Sequence, residues 1–233
     1  MGKPCWKTAT ASRLSALWEV VNLIPSKEEW KEALAKRHGK ELQEKFSSAT
    51  VAVCGLGGLG SNIAVALARA GIGRLILIDF DKVDLSNLHR QQYKAAQTGL
   101  YKTEALAENL REISPYLAME VHNERITAEN ATKLLKNAAI ICEAFDDAEC
   151  KAMLADAVLG TMPEKFLVAA SGMAGMGSAN TIRTRFISKH FYLCGDGTSD
   201  VAEAGSLVAS RVMVCAAHQA HTVLRILAEQ YEV

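Results

Sequence analysis

Two neighbouring groups of residues have the types and spacing for phosphate chemistry. The first is the turn Gly55-Leu56-Gly57-Gly58-Leu59-Gly60. Gly55, Gly57, Gly58 and Gly60 let the backbone turn tightly and approach phosphate oxygens, while the start of the following helix offers unpaired N–H groups and a partial positive charge. The second is the polar run Asp81 to Gln92, with Asp79 just before it. Asp79 stands about where an acid that accepts from ribose hydroxyls is expected. An oxidoreductase site would normally stop at that acid, because hydride transfer needs no dense polar loop. Charge building on transferred and leaving phosphate oxygens does need pre-positioned donors such as Asn87 and Arg90. On its own Asn87-Leu88-His89-Arg90 would read as a solvated loop; its place beside the glycine turn points to a ligand.

The elements that must position these residues are legible as alternating patterns. The glycine turn follows the apolar run Val51-Ala52-Val53-Cys54 and precedes a small-residue helical stretch, residues 61–70. Strands are expected at about 50–54, 74–79, 117–122, 138–143 and 165–170, separated by helical patterns. That alternation predicts an α/β fold, a Rossmann-like, doubly wound and mostly parallel sheet with ligands at the C-terminal strand ends. Before it lies a helical arm, residues 1–48, whose Leu14, Leu17, Trp18 and Val21 share one face; residues 49–233 form the nucleotide-binding domain. The run Ser171-Gly172-Met173-Ala174-Gly175-Met176-Gly177 reads either as an adaptable surface or as a plain loop to the strand-like residues 181–187, and residues 207–229 read as a long helix.

On these residues the chain resembles the ThiF/MoeB/HesA family, bacterial relatives of ubiquitin-activating enzymes. The resemblance is carried by Gly55 to Ser61, Ala70-Gly71-Ile72-Gly73-Arg74-Leu75, Ile78-Asp79-Phe80-Asp81 and Ser86-Asn87-Leu88-His89-Arg90-Gln91. It continues through Gly99-Leu100-Tyr101-Lys102, Ile113-Ser114-Pro115, Ala144-Phe145-Asp146-Asp147 and Glu203-Ala204-Gly205. It implies Mg2+-ATP as cofactor and adenylation of the C-terminal glycine carboxylate of a small ubiquitin-like sulfur carrier protein ending in Gly-Gly, of the thiamin-biosynthesis (ThiS-like) type. Asp79 and Asp81 would then serve the nucleotide, Asn87, Arg90 and Lys102 its phosphates, Gln91 the loop, and Asp146 the magnesium. From the residues alone Lys102 could be a solvated helix lysine, and either Asp146 or Asp147 could be an N-cap. Substituting Arg90, Lys102 or Asp146 is expected to spare folding.

The resemblance also implies a homodimer in which an arginine of the partner's N-terminal region reaches the phosphates. Its usual Arg-Tyr-x-Arg-Gln signature is missing, leaving Arg37 as the best stand-in, with a solvated helix end as the equal alternative, and Arg13 as a weaker one. Six cysteines are scattered without any C-x-x-C, so no structural zinc is expected although many family members hold one. The segment before Glu203-Ala204-Gly205 lacks the cysteine that captures the carrier covalently; Cys194 is the nearest thiol, and a separate sulfurtransferase is a conceivable partner. His218 and His221 lack a third ligand and read as ordinary helix residues. Lys and Arg balance Asp and Glu at 26 each, so no net field favours nucleic acid, and no apolar run is long enough to span a membrane, so a cytoplasmic protein is expected. Two other readings share the nucleotide half: an NAD-dependent oxidoreductase, disfavoured by the Asn87, Arg90, Lys102 and Asp146 set, and a non-catalytic scaffold.

Overall fold

A computed structural model describes residues 24–233; Cys5, Arg13 and the expected apolar stripe of the arm lie outside them. The chain enters through helices α1 (Lys27–His38) and α2 (Lys40–Ser48). Ser26 caps α1 in a reciprocal capping box with Glu29, and Gly39, at φ 87°, breaks the arm into two helices. Phe46 of α2 is buried in the same core as the first strand, and Gly73 N–H donates to its carbonyl. The last part of the arm is therefore packed into the domain.

Seven strands follow: β1 (Thr50–Cys54), β2 (Arg74–Ile78), β3 (Ala118–His122), β4 (Ile140–Glu143), β5 (Phe166–Ala170), β6 (Arg183–Ser188) and β7 (Phe191–Gly195). They form one sheet in the order β3-β2-β1-β4-β5-β7-β6, parallel except for the β6/β7 pair. The expected strands lie within a residue or two of these bounds. The last hairpin strand, β7, was not expected, because Phe191-Tyr192-Leu193-Cys194 is a short run directly behind another strand pattern.

Between the strands run α3 (Gly58–Ala70), α4 (Lys102–Ile113), α5 (Ala128–Leu135) and α6 (Ala148–Thr161); α7 (Val201–Ala204) and α8 (Ala209–Leu227) close the chain. The central strands are buried on both faces and so read as unbroken apolar runs. Val51, Val53, Leu75 and Leu77 point into a core shared with Ile63, Leu67, Leu110 and Val223. Ala52, Cys54, Ile76 and Ile78 point the other way, onto Leu134, Leu135, Leu154 and Val158. The two-residue period of the strands thus feeds two helical layers. Strand order reverses at β1, whose neighbours are β2 and β4, and a crevice opens there beyond the C-terminal strand ends. Among the described residues no helix is long and apolar enough to cross a membrane.

Candidate active site

A cavity of about 440 Å³ lies at this crossover. It gathers Gly55, Gly57, Gly58, Asp79, Asp81, Asn87, Arg90, Gln91, Lys102 and Asp146, which are spread over more than ninety positions of sequence. The glycine turn is shaped by contacts no larger residue could make. Gly55 sits at φ 87°, and a Cβ there would run into the carbonyl of Ala144 at 2.8 Å. A Cβ on Gly58 would press on Val212 at 3.1 Å and on the Arg90 stem at 3.3 Å. Gly60 departs from its expected role. It does not line the cavity, and a Cβ on it would collide with the Gly55 carbonyl, so it seats α3 against the end of β1.

Asp79 is a brace as well as a cavity group. Its Oδ2 accepts Leu56 N–H at 2.6 Å and its Oδ1 accepts Asp81 N–H at 2.8 Å, tying the end of β2 to the glycine turn. Tyr93 O–H donates to the Leu56 carbonyl at 2.7 Å from the other side. Burial raises the Asp79 pKa, and the Lys102 ammonium opposes that rise. Lys102 itself is not the solvated helix lysine its pattern allowed. It is 6% exposed, with Nζ 2.7 Å from Asp81 Oδ2 and 3.9 Å from Asp79 Oδ2. A cation on the first residue of a helix is opposed by the helix dipole, and the two carboxylates offset that.

The turn after β4 separates two adjacent acids. Asp147 caps α6, its Oδ1 accepting Cys150 N–H at 2.8 Å, and this holds its carboxyl below the usual range. Asp146 is exposed at the cavity and makes no hydrogen bond with another described residue. The side chains of Asn87 and Arg90 are half-buried at the cavity and likewise make no hydrogen bond with another described residue. Gln91 is buried at 7% exposure with Oε1 unpartnered, an acceptor left unsatisfied beside the cavity. Arg37 is exposed on α1 and does not line the cavity of its own chain.

Three contributors escaped sequence reasoning. Glu143, buried at the end of β4, accepts from Lys151 Nζ at 2.9 and 3.0 Å and from Phe145 N–H at 2.7 Å. Lys151, which lines the cavity, also donates to the Ala170 carbonyl at 3.0 Å, so one ion pair clamps the ends of β4 and β5 around the Asp146 turn. Arg125 lies over the ring of Phe80, 4.8 Å from its centroid, both at the cavity. An acid at a strand end followed by a lysine one helix turn into the next element was the available signal for the first pair.

The sequence model of the ThiF family matches residues 31–233. The chain belongs to the ThiF family. Among its relatives, ubiquitin-like modifier-activating enzyme 5 of Xenopus laevis is 49% identical over 87 residues, 37% of this chain and 22% of that protein. The adenylyltransferase and sulfurtransferase MOCS3 of Anopheles gambiae is 38% identical over 120 residues, 51% of this chain and 27% of that protein. The chain thus spans about a quarter of the length of the curated relatives it matches. Its fold is that of the tRNA N6-threonylcarbamoyladenosine dehydratase of E. coli, with a TM-score of 0.78 at 22% identity, covering 87% of this chain and 97% of that one.

Cys194, the thiol expected nearest the capture position, is fully buried in this ThiF-family chain and its thiol is pushed up by burial; Cys215, likewise buried, is pushed up to about 12. Neither presents a reactive thiolate. Among the described residues of this ThiF-family chain no group of three or more His, Cys, Asp or Glu side chains could hold a metal by itself. His218 instead bonds the Thr184 hydroxyl at 3.0 Å.

Proposed function

We propose that this chain is an ATP-dependent adenylyltransferase that activates the C-terminal carboxylate of a small ubiquitin-like protein ending in Gly-Gly. The carrying observation is that one cavity at the sheet crossover collects the glycine turn, Asp79, Asn87, Arg90, Lys102 and Asp146. An oxidoreductase would leave the last four without work.

In this reading Asp79 takes the ribose hydroxyls with lone pairs its two backbone bonds leave free, and Gly57 and Gly58 admit the phosphates to the start of α3. Arg90, with no acid partner among the described residues, and Lys102 neutralise charge on the phosphates, and Asn87 donates a hydrogen bond. The terminal carboxylate of the substrate is ionised near neutral pH and needs no general base. Its oxygen bonds the α-phosphorus while the bond to the bridging oxygen breaks and pyrophosphate leaves, so the side chains act by positioning and charge stabilisation. Asp146 fits magnesium, which takes one or two protein carboxylates with the remaining ligands from phosphates and water, and which would there neutralise phosphate charge. The buried acceptor of Gln91 supports its loop against the bound nucleotide. Arg37, or an arginine of the unassigned arm, reaches the site of a partner copy in a homodimer. A sulfur carrier of the thiamin type is the first substrate to try, in a cytoplasmic setting, with a separate sulfurtransferase completing any sulfur delivery.

The test is carrier-dependent exchange of labelled pyrophosphate into ATP, using a panel of Gly-Gly-terminated carriers. Exchange that depends on the carrier and falls by on the order of a hundredfold in both Arg90→Ala and Asp146→Asn is expected. Unchanged exchange in both variants, or hydride transfer with NAD instead, would remove the reading.

A further inference from the structure

A second cavity, of about 800 Å³, opens beside the first, between the Gly/Met-rich loop after β5 and the ends of β6 and β7. Ser199 lines both cavities, and its hydroxyl accepts Ala174 N–H at 3.0 Å, so the partition between them is a single pair of touching loops. The Gly/Met run divides its work accordingly: Gly172 and Met173 line the first cavity, residues 174–177 the second.

The charged side chains around the second cavity are Arg183, Arg185, Arg211 and Asp196, leaving two positive charges in excess. Arg211, 5% exposed, is already committed. It bonds Asp196 at 2.5 Å, the Gly177 and Ser178 carbonyls, and the Thr181 hydroxyl. It serves as the rigid floor. Arg185 differs in degree: Arg211 leaves only its Nε unpartnered, whereas Arg185 leaves a whole edge. Its Nε and Nη2 are shut off from water and have no hydrogen-bond partner, and no carboxylate among the described residues lies within ion-pair reach. Those two nitrogens form one edge of the planar guanidinium, the edge that offers two parallel N–H donors and matches a carboxylate bidentately. Buried donors left unpaired are costly, so such an edge is a place for an acceptor that the chain itself does not supply, admitted when the Gly197 loop packed on the guanidinium shifts aside. The loops are shaped around it: Gly197, at φ 77°, packs on the Arg185 guanidinium where a Cβ could not stand, and Gly195, at φ 129°, lies on the Ser171 carbonyl. Arg183 and Arg185, two apart on β6, emerge on the same face.

We infer that the second cavity is a carboxylate-recognition site, which reads an acidic side chain a few residues before the terminal carboxylate that the first cavity activates. That the acid belongs to the activated tail rests on the adenylation reading; that the Arg185 edge takes a carboxylate does not. A nucleic-acid phosphate is disfavoured because the chain as a whole carries no net charge to draw a polyanion.

The experiment uses fluorescein-labelled hexapeptides ending in Gly-Gly, with a single Glu walked through the upstream positions and a Gln control at each, their binding followed by fluorescence anisotropy with the whole chain. At one position Glu should bind at least tenfold tighter than Gln, and that preference should shrink below twofold in Arg185→Ala and in the size-conserving Arg185→Gln, while the thermal shift given by ATP stays as in the wild type. The proposal is overturned if no position prefers Glu, if the preference survives both variants, or if inorganic phosphate or a short RNA displays the Arg185 dependence instead. Should both variants fail to fold, the Glu-to-Gln comparison on the wild type alone decides. A retained Glu preference with no pyrophosphate exchange from any carrier would sink the adenylation reading and leave the carboxylate site standing.

Discussion

The Lys102 ammonium stands 2.7 Å from the Asp81 carboxylate and 3.9 Å from the buried Asp79 carboxylate. Lys102 therefore cannot be removed without consequence for the fold, which corrects the expectation that its substitution would spare folding. Lys102→Ala leaves the buried Asp79 carboxylate with its two backbone N–H donors but no cation and should cost about 3 kcal/mol, the lower end for breaking a buried pair. The sign with pH follows. Burial already raises the Asp79 pKa, and without the lysine it rises further, so the folded state holds the proton more tightly than the unfolded one. The contribution of Asp79 to the variant's stability is then greatest at low pH and is lost as pH climbs through the folded pKa. Urea unfolding of wild type and variant at pH 5 and pH 8 should show a larger deficit at pH 8; an equal deficit at both would mean Asp79 is not what the lysine supports.

The glycine turn makes a paired prediction. Gly60→Ala drives a methyl into the Gly55 carbonyl and should lower the melting temperature steeply, while Gly57→Ala meets only the Gln91 amide at 3.7 Å and should fold nearly as well as the wild type. Nucleotide affinity should drop in Gly57→Ala all the same, because its methyl projects into the cavity. Thermal melts with and without ATP on both variants separate the two roles, and a stable Gly60→Ala would contradict the packing role given to that residue.

Ligand choice is testable without any carrier. ATP with magnesium should raise the melting temperature, since binding confined to the folded state stabilises it, whereas NAD and NADP at equal concentration should not. The cavity is lined by Arg90 and Lys102, two cations that in the adenylation reading meet the triphosphate. A larger shift with NAD than with ATP would contradict the adenylation reading.

Acid stability should report on the floor of the second cavity. Burial opposes ionisation of Asp196, but N–H groups of Ser199 and Thr198, the Ser199 hydroxyl and Arg211 outweigh it and hold its carboxyl below the ordinary range. A depressed folded pKa stabilises above the unfolded value of about 4 and is lost as pH falls below it. Asp196→Asn should therefore be less stable than wild type at pH 7, and the difference should narrow as pH drops from about 4 toward 2. A gap constant across that range would show that Asp196 acts by shape alone.

The sequence by itself was enough for the nucleotide half. Val51 to Cys54 and Leu75 to Ile78 are strands buried on both faces, so their apolar runs are continuous and bounded by turn residues, and a glycine turn between a strand and a helix has few other uses. Asp79, Asn87 and Arg90 could be picked out because their types and spacing beside the glycine turn match a phosphate site, and Asp146 because of the family resemblance. What tertiary structure alone decided involves partners distant in the chain. Asp147 rather than Asp146 became the cap because backbone direction after β4 brings its carboxylate to Cys150 N–H. Lys102 was buried because the loop from Asp79 folds back over α4, and Gly60 left the ligand because β1 and α3 close on it. Strand β7, the Glu143–Lys151 clamp across two strand ends and the unpaired edge of Arg185 were invisible for the same reason. Period and propensity report each residue's own neighbourhood, whereas desolvation and pairing depend on which distant element is laid beside it.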